Sequence, residues 1–175
     1  MSQLIISEVF GPTIQGEGAL VGKPTVFVRS GGCDYRCSWC DTLYAVEKKY
    51  KDDWSTLSTE DVWAQIQALS PTPILVTLSG GNPALQDFAK LIDIGHAAGY
   101  TFAMETQGSI SKPWFTQVDY LTLSPKPPSS GMETKWEAFE KCVSLAASPE
   151  AISVKLVVAD DADFKWAYEV QQRYP

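Results

Sequence analysis

Three cysteines within eight residues, Cys33, Cys37 and Cys40 in the spacing C-x3-C-x2-C, are the strongest chemical feature of this sequence. A loop that short lets three thiolates converge on one small object. Tetrahedral zinc asks for a fourth Cys or His nearby. The single histidine, His96, lies in a helical stretch, and the fourth cysteine, Cys142, lies in another, far along the chain. The set therefore suits a four-iron cluster in which one iron keeps no protein ligand and stays open to a chelating molecule. Simpler alternatives are a zinc site, a thioredoxin-like pair in Cys37-Ser38-Trp39-Cys40, or a metal-binding module without catalysis. The pair leaves Cys33 and Gly31-Gly32 unexplained. Nucleophilic catalysis of the Ser/His/Asp or Cys/His kind would have to use His96, and nothing near it resembles such a site. His96 is expected on a helix surface, and Cys142 in the core as a small hydrophobe.

The rest of the chain has to position this loop. The 175 residues are 45% hydrophobic, enough for one domain with a core, and six Trp, seven Tyr and seven Phe argue against disorder. A formal charge of −7, with no basic run longer than Lys48-Lys49, argues against nucleic acid as a partner. No apolar run has the length of a bilayer span, and Met1-Ser2-Gln3-Leu4 does not open a secretory signal. Clustered rather than scattered cysteines fit a cytosolic metal protein better than a disulfide scaffold. The expectation is a cytoplasmic protein that acts on a small molecule, with no membrane partner.

Short β-branched runs alternate with helical patterns, as in an α/β domain of parallel strands. Strands are expected at Leu4 to Phe10, Pro24 to Ser30, Pro73 to Ser79, Tyr100 to Glu105, Val118 to Ser124 and Ala151 to Val158. A glycine-rich turn is expected from Gly11 to Gly18. Helices are expected from Ser58 or Thr59 to Leu69, Pro83 to Ala98, Trp136 to Ala146 and Asp161 to Arg173. Reactive groups in such folds gather beyond the C-terminal strand ends. The cysteines, Gly80-Gly81-Asn82-Pro83, Glu105-Thr106 and Ser124-Pro125-Lys126 all fall there.

The stretch from Gly32 to Thr42, GCDYRCSWCDT, resembles the cluster loop of the radical S-adenosylmethionine superfamily. The resemblance implies a single domain over residues 1–175, a partial TIM-type barrel of parallel strands. It also implies a [4Fe-4S] cluster on Cys33, Cys37 and Cys40, whose open iron chelates S-adenosyl-L-methionine. Ser79-Gly80-Gly81-Asn82-Pro83 is similar to the glycine-rich segment whose backbone approaches the cofactor, with Asn82 where Glu is usual. Glu105 is similar to the acid that contacts the cofactor ribose. Cofactor-binding positions implied in this way are Trp39, Cys40, Asp41, Gly81, Glu105, Ser124, Pro125 and Lys126.

Narrower likenesses point to a branch of that superfamily acting on a carboxylated pterin. Ile14, Gln15, Gly16 and Glu17 resemble its substrate-binding turn, Arg29 its substrate-binding arginine, and Ser79 a further substrate contact. Asp41-Thr42 is similar to its magnesium site, with the Thr42 hydroxyl as ligand. The implied reaction converts 6-carboxy-5,6,7,8-tetrahydropterin to 7-carboxy-7-deazaguanine with loss of ammonia, in queuosine biosynthesis. The likeness further implies a homodimer on six strands and three helices, and an electron donor such as flavodoxin or ferredoxin. Members usually continue past the helix near Arg173 with a last strand that meets the substrate, so that segment is expected to be missing from a chain that stops at Pro175. The rival within the superfamily is a glycyl-radical-enzyme activating enzyme, which shares the cysteine spacing but not Gln15 to Gly18 or Asp41-Thr42.

Overall fold

The structure, a computed structural model, describes residues 3–174. Strands β1 (Gln3–Ile14) and β2 (Pro24–Ser30) form an antiparallel hairpin, and β3 (Ser55–Ser58) pairs antiparallel with β1. From β2 onward pairing is parallel, through β4 (Leu75–Gly80), β5 (Thr101–Thr106), β6 (Tyr120–Leu123) and β7 (Ile152–Val154). The strand order β3-β1-β2-β4-β5-β6-β7 leaves β3 and β7 as edges, so the partial barrel does not close. The helices are α1 (Leu43–Val46), α2 (Thr59–Leu69), α3 (Ala89–Ala97), α4 (Trp136–Ser144) and α5 (Asp161–Arg173). Seven strands and five α-helices among the described residues replace the expected six and three. No helix among them is long and apolar enough to cross a membrane.

Strand alternation divides the sheet into two chemically different faces. Val26, Val28, Val76, Leu78, Phe102, Met104, Leu121 and Leu123 are buried in one core with Val62 and Ile66 of α2, Leu91 and Ile92 of α3, and Phe139 and Cys142 of α4. Residues that alternate with them, including Phe27, Arg29, Ser79, Glu105 and Ser124, line a cavity. β1 follows the same rule only because it changes parity. Leu4 and Ile6 join the core, but after a register shift between Ile6 and Glu8 it is Val9 that packs on the core and Phe10 that lines the cavity. A bulge of one residue inverts every side chain beyond it.

Several boundaries differ from expectation for identifiable reasons. β1 runs on to Ile14 rather than turning at Gly11, because Pro12 falls at a second register shift, between Phe10 and Thr13, where no ladder N–H is required. The helix expected from Pro83 to Ala98 splits into a 3-10 turn (Pro83–Leu85) and α3. Gln86 interrupts it: its side chain accepts from Ile5 N (2.5 Å) and donates to Ile5 O (2.7 Å), and its carbonyl accepts from Trp114 Nε1. β7 is only three residues long, against the expected eight, because it is an edge strand that leaves β6 after Val154. α2 starts at the expected Ser58, whose Oγ accepts from Asp61 N, and α5 is capped by Asp160, whose Oδ1 accepts from Asp163 N.

Cys142 is fully buried on the core face of α4, and burial pushes its thiol up to about 12 from an ordinary 9.0. The unfolded chain loses this proton first as pH rises, so the folded state holds more protons between about pH 9 and 12 and stability falls across that window. Urea midpoints measured across it should fall less steeply for Cys142→Ala than for the unaltered protein; parallel slopes would contradict the assignment.

Candidate active site

A cavity of about 630 Å³ opens at the C-terminal ends of β2, β4, β5 and β6 and takes in all three clustered cysteines. Its floor depends on a backbone junction. Gly81 N donates to Ser30 O (3.1 Å), Asn82 N to Gly32 O (2.8 Å) and Gly32 N to Ala45 O (2.7 Å). A Cβ on Gly81 would lie 2.0 Å from Gly32 O, and one on Gly80, at φ +122°, would lie 2.3 Å from Ser30 O. Only glycine permits strands β2 and β4 to deliver their chain ends this close together.

The cysteine loop itself has no regular structure. Arg36 Nη1 donates to Cys33 O (2.7 Å) and Tyr35 O (2.6 Å), and Cys40 N to Cys37 O (3.2 Å), which folds the loop onto itself. Cys33 Sγ accepts from Tyr35 N (3.4 Å) and Gln107 Nε2 (3.7 Å). Burial pushes the Cys33 and Cys37 thiols up. For Cys37 the charge on Lys126 opposes the rise, while Cys33 and Cys40 add to it. Among the described residues no group of three or more His, Cys, Asp or Glu is arranged to hold a single metal ion. Three soft thiols without a fourth ligand suit a larger iron–sulfur cluster better than zinc.

The sequence-designated positions are largely brought together here. Ile14, Gln15, Glu17 and Arg29 line the cavity; so do Trp39, Asp41 and Thr42. Ser79, Gly81, Glu105, Ser124 and Lys126 complete the set, whereas Gly16 and Pro125 are not among the lining residues. Gln15 Nε2 donates to Glu105 Oε1 (2.9 Å), and Ser79 Oγ to Glu105 Oε2 (3.3 Å), so a designated substrate turn and a designated cofactor acid are directly joined. Lys126 Nζ donates to Ser124 Oγ (3.0 Å) and lies 5.8 Å from the Trp39 ring centre; burial pushes its ammonium down. Thr42 precedes α1 without capping it by its side chain and instead donates to Asp41 Oδ1 (2.7 Å).

Arg29 is held from behind. Its Nε donates to Glu8 Oε1 (2.7 Å), and its guanidinium lies over the rings of Phe10 (5.4 Å) and Tyr44 (5.8 Å). Tyr44 OH donates to the same Glu8 oxygen (2.8 Å). Glu8, Phe10, Gln107 and Lys155, which pairs with Glu17, are functional candidates that the sequence reading did not pick out. Gln107 could have been found from its place in the loop after β5; the bulge hides the others on β1, and Lys155 sits past an edge strand. His96, by contrast, is exposed on α3 and paired with Asp119 (2.8 Å), outside the cavity.

Asn82 is fully buried and uses its whole hydrogen-bonding capacity. Nδ2 donates to Asp34 Oδ1 (2.8 Å) and Ser109 Oγ (3.2 Å), while Oδ1 accepts from Ala84 N (3.2 Å) and Thr106 Oγ1 (2.8 Å). It is a cross-link between the cysteine loop and β5, not a cavity-facing group.

An open, mostly parallel sheet with three thiols beyond its strand ends is the arrangement of a radical S-adenosylmethionine enzyme, and this chain is one. No protein-family profile matches the sequence. A 7-carboxy-7-deazaguanine synthase from Bacillus cereus is 43% identical over 177 residues, covering 100% of this chain and 74% of that protein, and one from Bacillus subtilis is 39% identical, covering 97% and 72%. The crystal structure of QueE from Escherichia coli matches with a TM-score of 0.76 at 28% identity, over 98% of this chain and 77% of that one. TYW1 with a lysine-pyruvate adduct shares the fold alone, with a TM-score of 0.51 at 18% identity. The chain belongs to the 7-carboxy-7-deazaguanine synthase family.

The Asn82 cross-link is open to direct measurement. Asn82→Leu strands the partners in Asp34, Thr106 and Ala84 and should lower the unfolding free energy by about 3 kcal/mol or more, read from urea denaturation. An unchanged midpoint would show that those bonds are dispensable.

Proposed function

We propose that this chain is a lyase that converts 6-carboxy-5,6,7,8-tetrahydropterin to 7-carboxy-7-deazaguanine with loss of ammonia, in queuosine and deazapurine biosynthesis. The observation that carries the reading is that three thiols, a carboxylate-binding fork at Arg29 and the Gln15–Glu105 pair all face one cavity. Cys33, Cys37 and Cys40 would hold a [4Fe-4S] cluster, with S-adenosyl-L-methionine against Trp39, Gly81, Glu105 and Lys126. When bound and reduced, this pair supplies the one-electron cleavage of the cofactor C–S bond that starts a radical reaction.

The protein's own groups bind and orient the substrate. Glu8 occupies Arg29 Nε, so the two terminal amino groups remain for a planar, bidentate grip on the substrate carboxylate. Gln15, with an amide donor and acceptor, and the Glu17 carboxylate suit the N–H and C=O edge of a pterin ring, with Gln15 held in place by Glu105. Phe10 and Phe27, stacked at 5.0 Å, provide a flat apolar wall beside it. Thr42 and Asp41 offer hard oxygens for Mg²⁺, which keeps several waters and needs few protein ligands. An electron donor such as flavodoxin or ferredoxin, and a homodimer, belong to the same proposal.

Anaerobic reconstitution should give about four irons per chain and deoxyadenosine formation that depends on the carboxytetrahydropterin. Cys37→Ala should abolish both; retained cluster and turnover in that variant would overturn the reading. Arg29→Lys keeps the charge but loses the fork and should raise KM for the pterin about tenfold or more, with cofactor binding unchanged.

A further inference from the structure

The cysteine loop is strapped on its outer side by one segment. Tyr35 OH donates to Glu133 O (2.6 Å), Arg36 N to Met132 Sδ (3.3 Å), Ser38 N to Ser130 O (2.9 Å) and Ser38 Oγ to Ser129 O (2.7 Å). Trp39 Nε1 donates to Ser129 Oγ (2.9 Å). That last bond reaches into the cavity, because Trp39 lines it and Ser129 does not.

Ser129 is in turn fixed by a carboxylate that has no part in the chemistry described above. Asp163, in the first turn of α5, is 0% exposed. Its Oδ1 accepts from Ser129 N (3.0 Å), and its Oδ2 accepts from Ser129 Oγ (2.5 Å) and Ala159 N (3.0 Å). It has no ion-pair partner among the described residues. A carboxylate in that position is tolerated only because donors are aimed at it. Burial opposes its charge, but the bonds from Ser129 and Ala159 outweigh that and hold its carboxyl below the usual range.

The consequence for Ser129 is directional. A hydroxyl has one proton, and Asp163 can only accept, so the Ser129 proton points to Asp163 and its lone pairs remain for the Trp39 indole N–H. Charge on Asp163 polarises the hydroxyl and strengthens its acceptor side, as in any hydrogen-bonded chain. We propose that Asp163, acting through Ser129, is a positioning residue that sets the orientation of the Trp39 indole and thereby the cofactor side of the cavity. The identity of the ligand there rests on the function proposed above; the relay itself does not.

Two measurements on the full chain test it. In the folded, metal-free protein the indole N–H signals can be resolved by NMR, and that of Trp39 is assigned by its loss in Trp39→Phe. Ser129→Ala and Asp163→Asn should shift this signal and speed its solvent exchange, leaving the other indoles in place. If Asp163→Asn does not fold, Ser129→Ala alone decides, since it removes only the bridging oxygen. In the reconstituted protein, Ser129→Ala should weaken S-adenosyl-L-methionine binding about three- to tenfold at unchanged iron content, with no further weakening in a Trp39→Phe background. A merely structural role would lower the thermal midpoint and give additive effects on affinity. An unmoved Trp39 signal, or additivity, overturns the relay. Failure of the unaltered protein to bind or cleave the cofactor would instead overturn the function, with the indole measurement still deciding the relay.

Discussion

The active-site loop has no secondary structure to hold it, so its place depends on the contact between two chain ends: Gly80-Gly81 leaving β4 and Ser30 to Gly32 leaving β2. Backbone lies directly on backbone there, with Gly81 N bonded to Ser30 O and a virtual Gly81 Cβ only 2.0 Å from Gly32 O. Any side chain would push the loop outward and tilt all three thiols together. A sheet alone cannot achieve this, because paired strands in register still leave their loops free to diverge. The junction converts strand register, Arg29 level with Ser79 and Ser30 with Gly80, into a fixed origin for the cysteine loop.

The rest of the site follows from how a pleated sheet treats its two faces. The core face is filled by Val, Leu, Phe and Met and gains stability from burial. The cavity face carries polar groups that must satisfy one another. Thr25 and Thr77 share a hydrogen bond of 2.8 Å deep in the sheet, and nearer the rim Gln15, Ser79 and Glu105 form a connected set. Polar groups on this face are thus paired both deep in the sheet and at the rim, where the cavity lies.

Much of this was legible before the structure. The cysteine spacing, the glycine pair and the acid at the end of β5 each fell beyond a strand, and their convergence followed from parallel pairing. The start of α2 at Ser58 was legible because a cap acts locally. What escaped was non-local. By simple alternation Glu8 and Phe10 fall on the side of Leu4 and Ile6, and only the shift after Ile6 brings Phe10 to the cavity and Glu8 to Arg29. Gln86 interrupts a good helical pattern because its side chain serves the backbone of Ile5, a partner far away in sequence. β3 is short, serine-rich and at an edge, so its sequence carries no apolar signal.

Asn82 shows how a departure from a family pattern can be read physically. A glutamate at that position would present an acceptor-only group to Asp34, and two carboxylates cannot share a hydrogen bond without a proton between them. An amide brings two donors as well as two acceptors, and each finds a partner: Asp34 and Ser109 on one side, Thr106 and Ala84 on the other. The exchange removes a negative charge from beside the cysteines and replaces it with a neutral tie between their loop and β5. Asp34, so anchored, also accepts from Gln107 (2.7 Å), whose same nitrogen faces Cys33 Sγ. In this chain Asn82 is part of the frame that holds the first cysteine, and it stands outside the cavity lining.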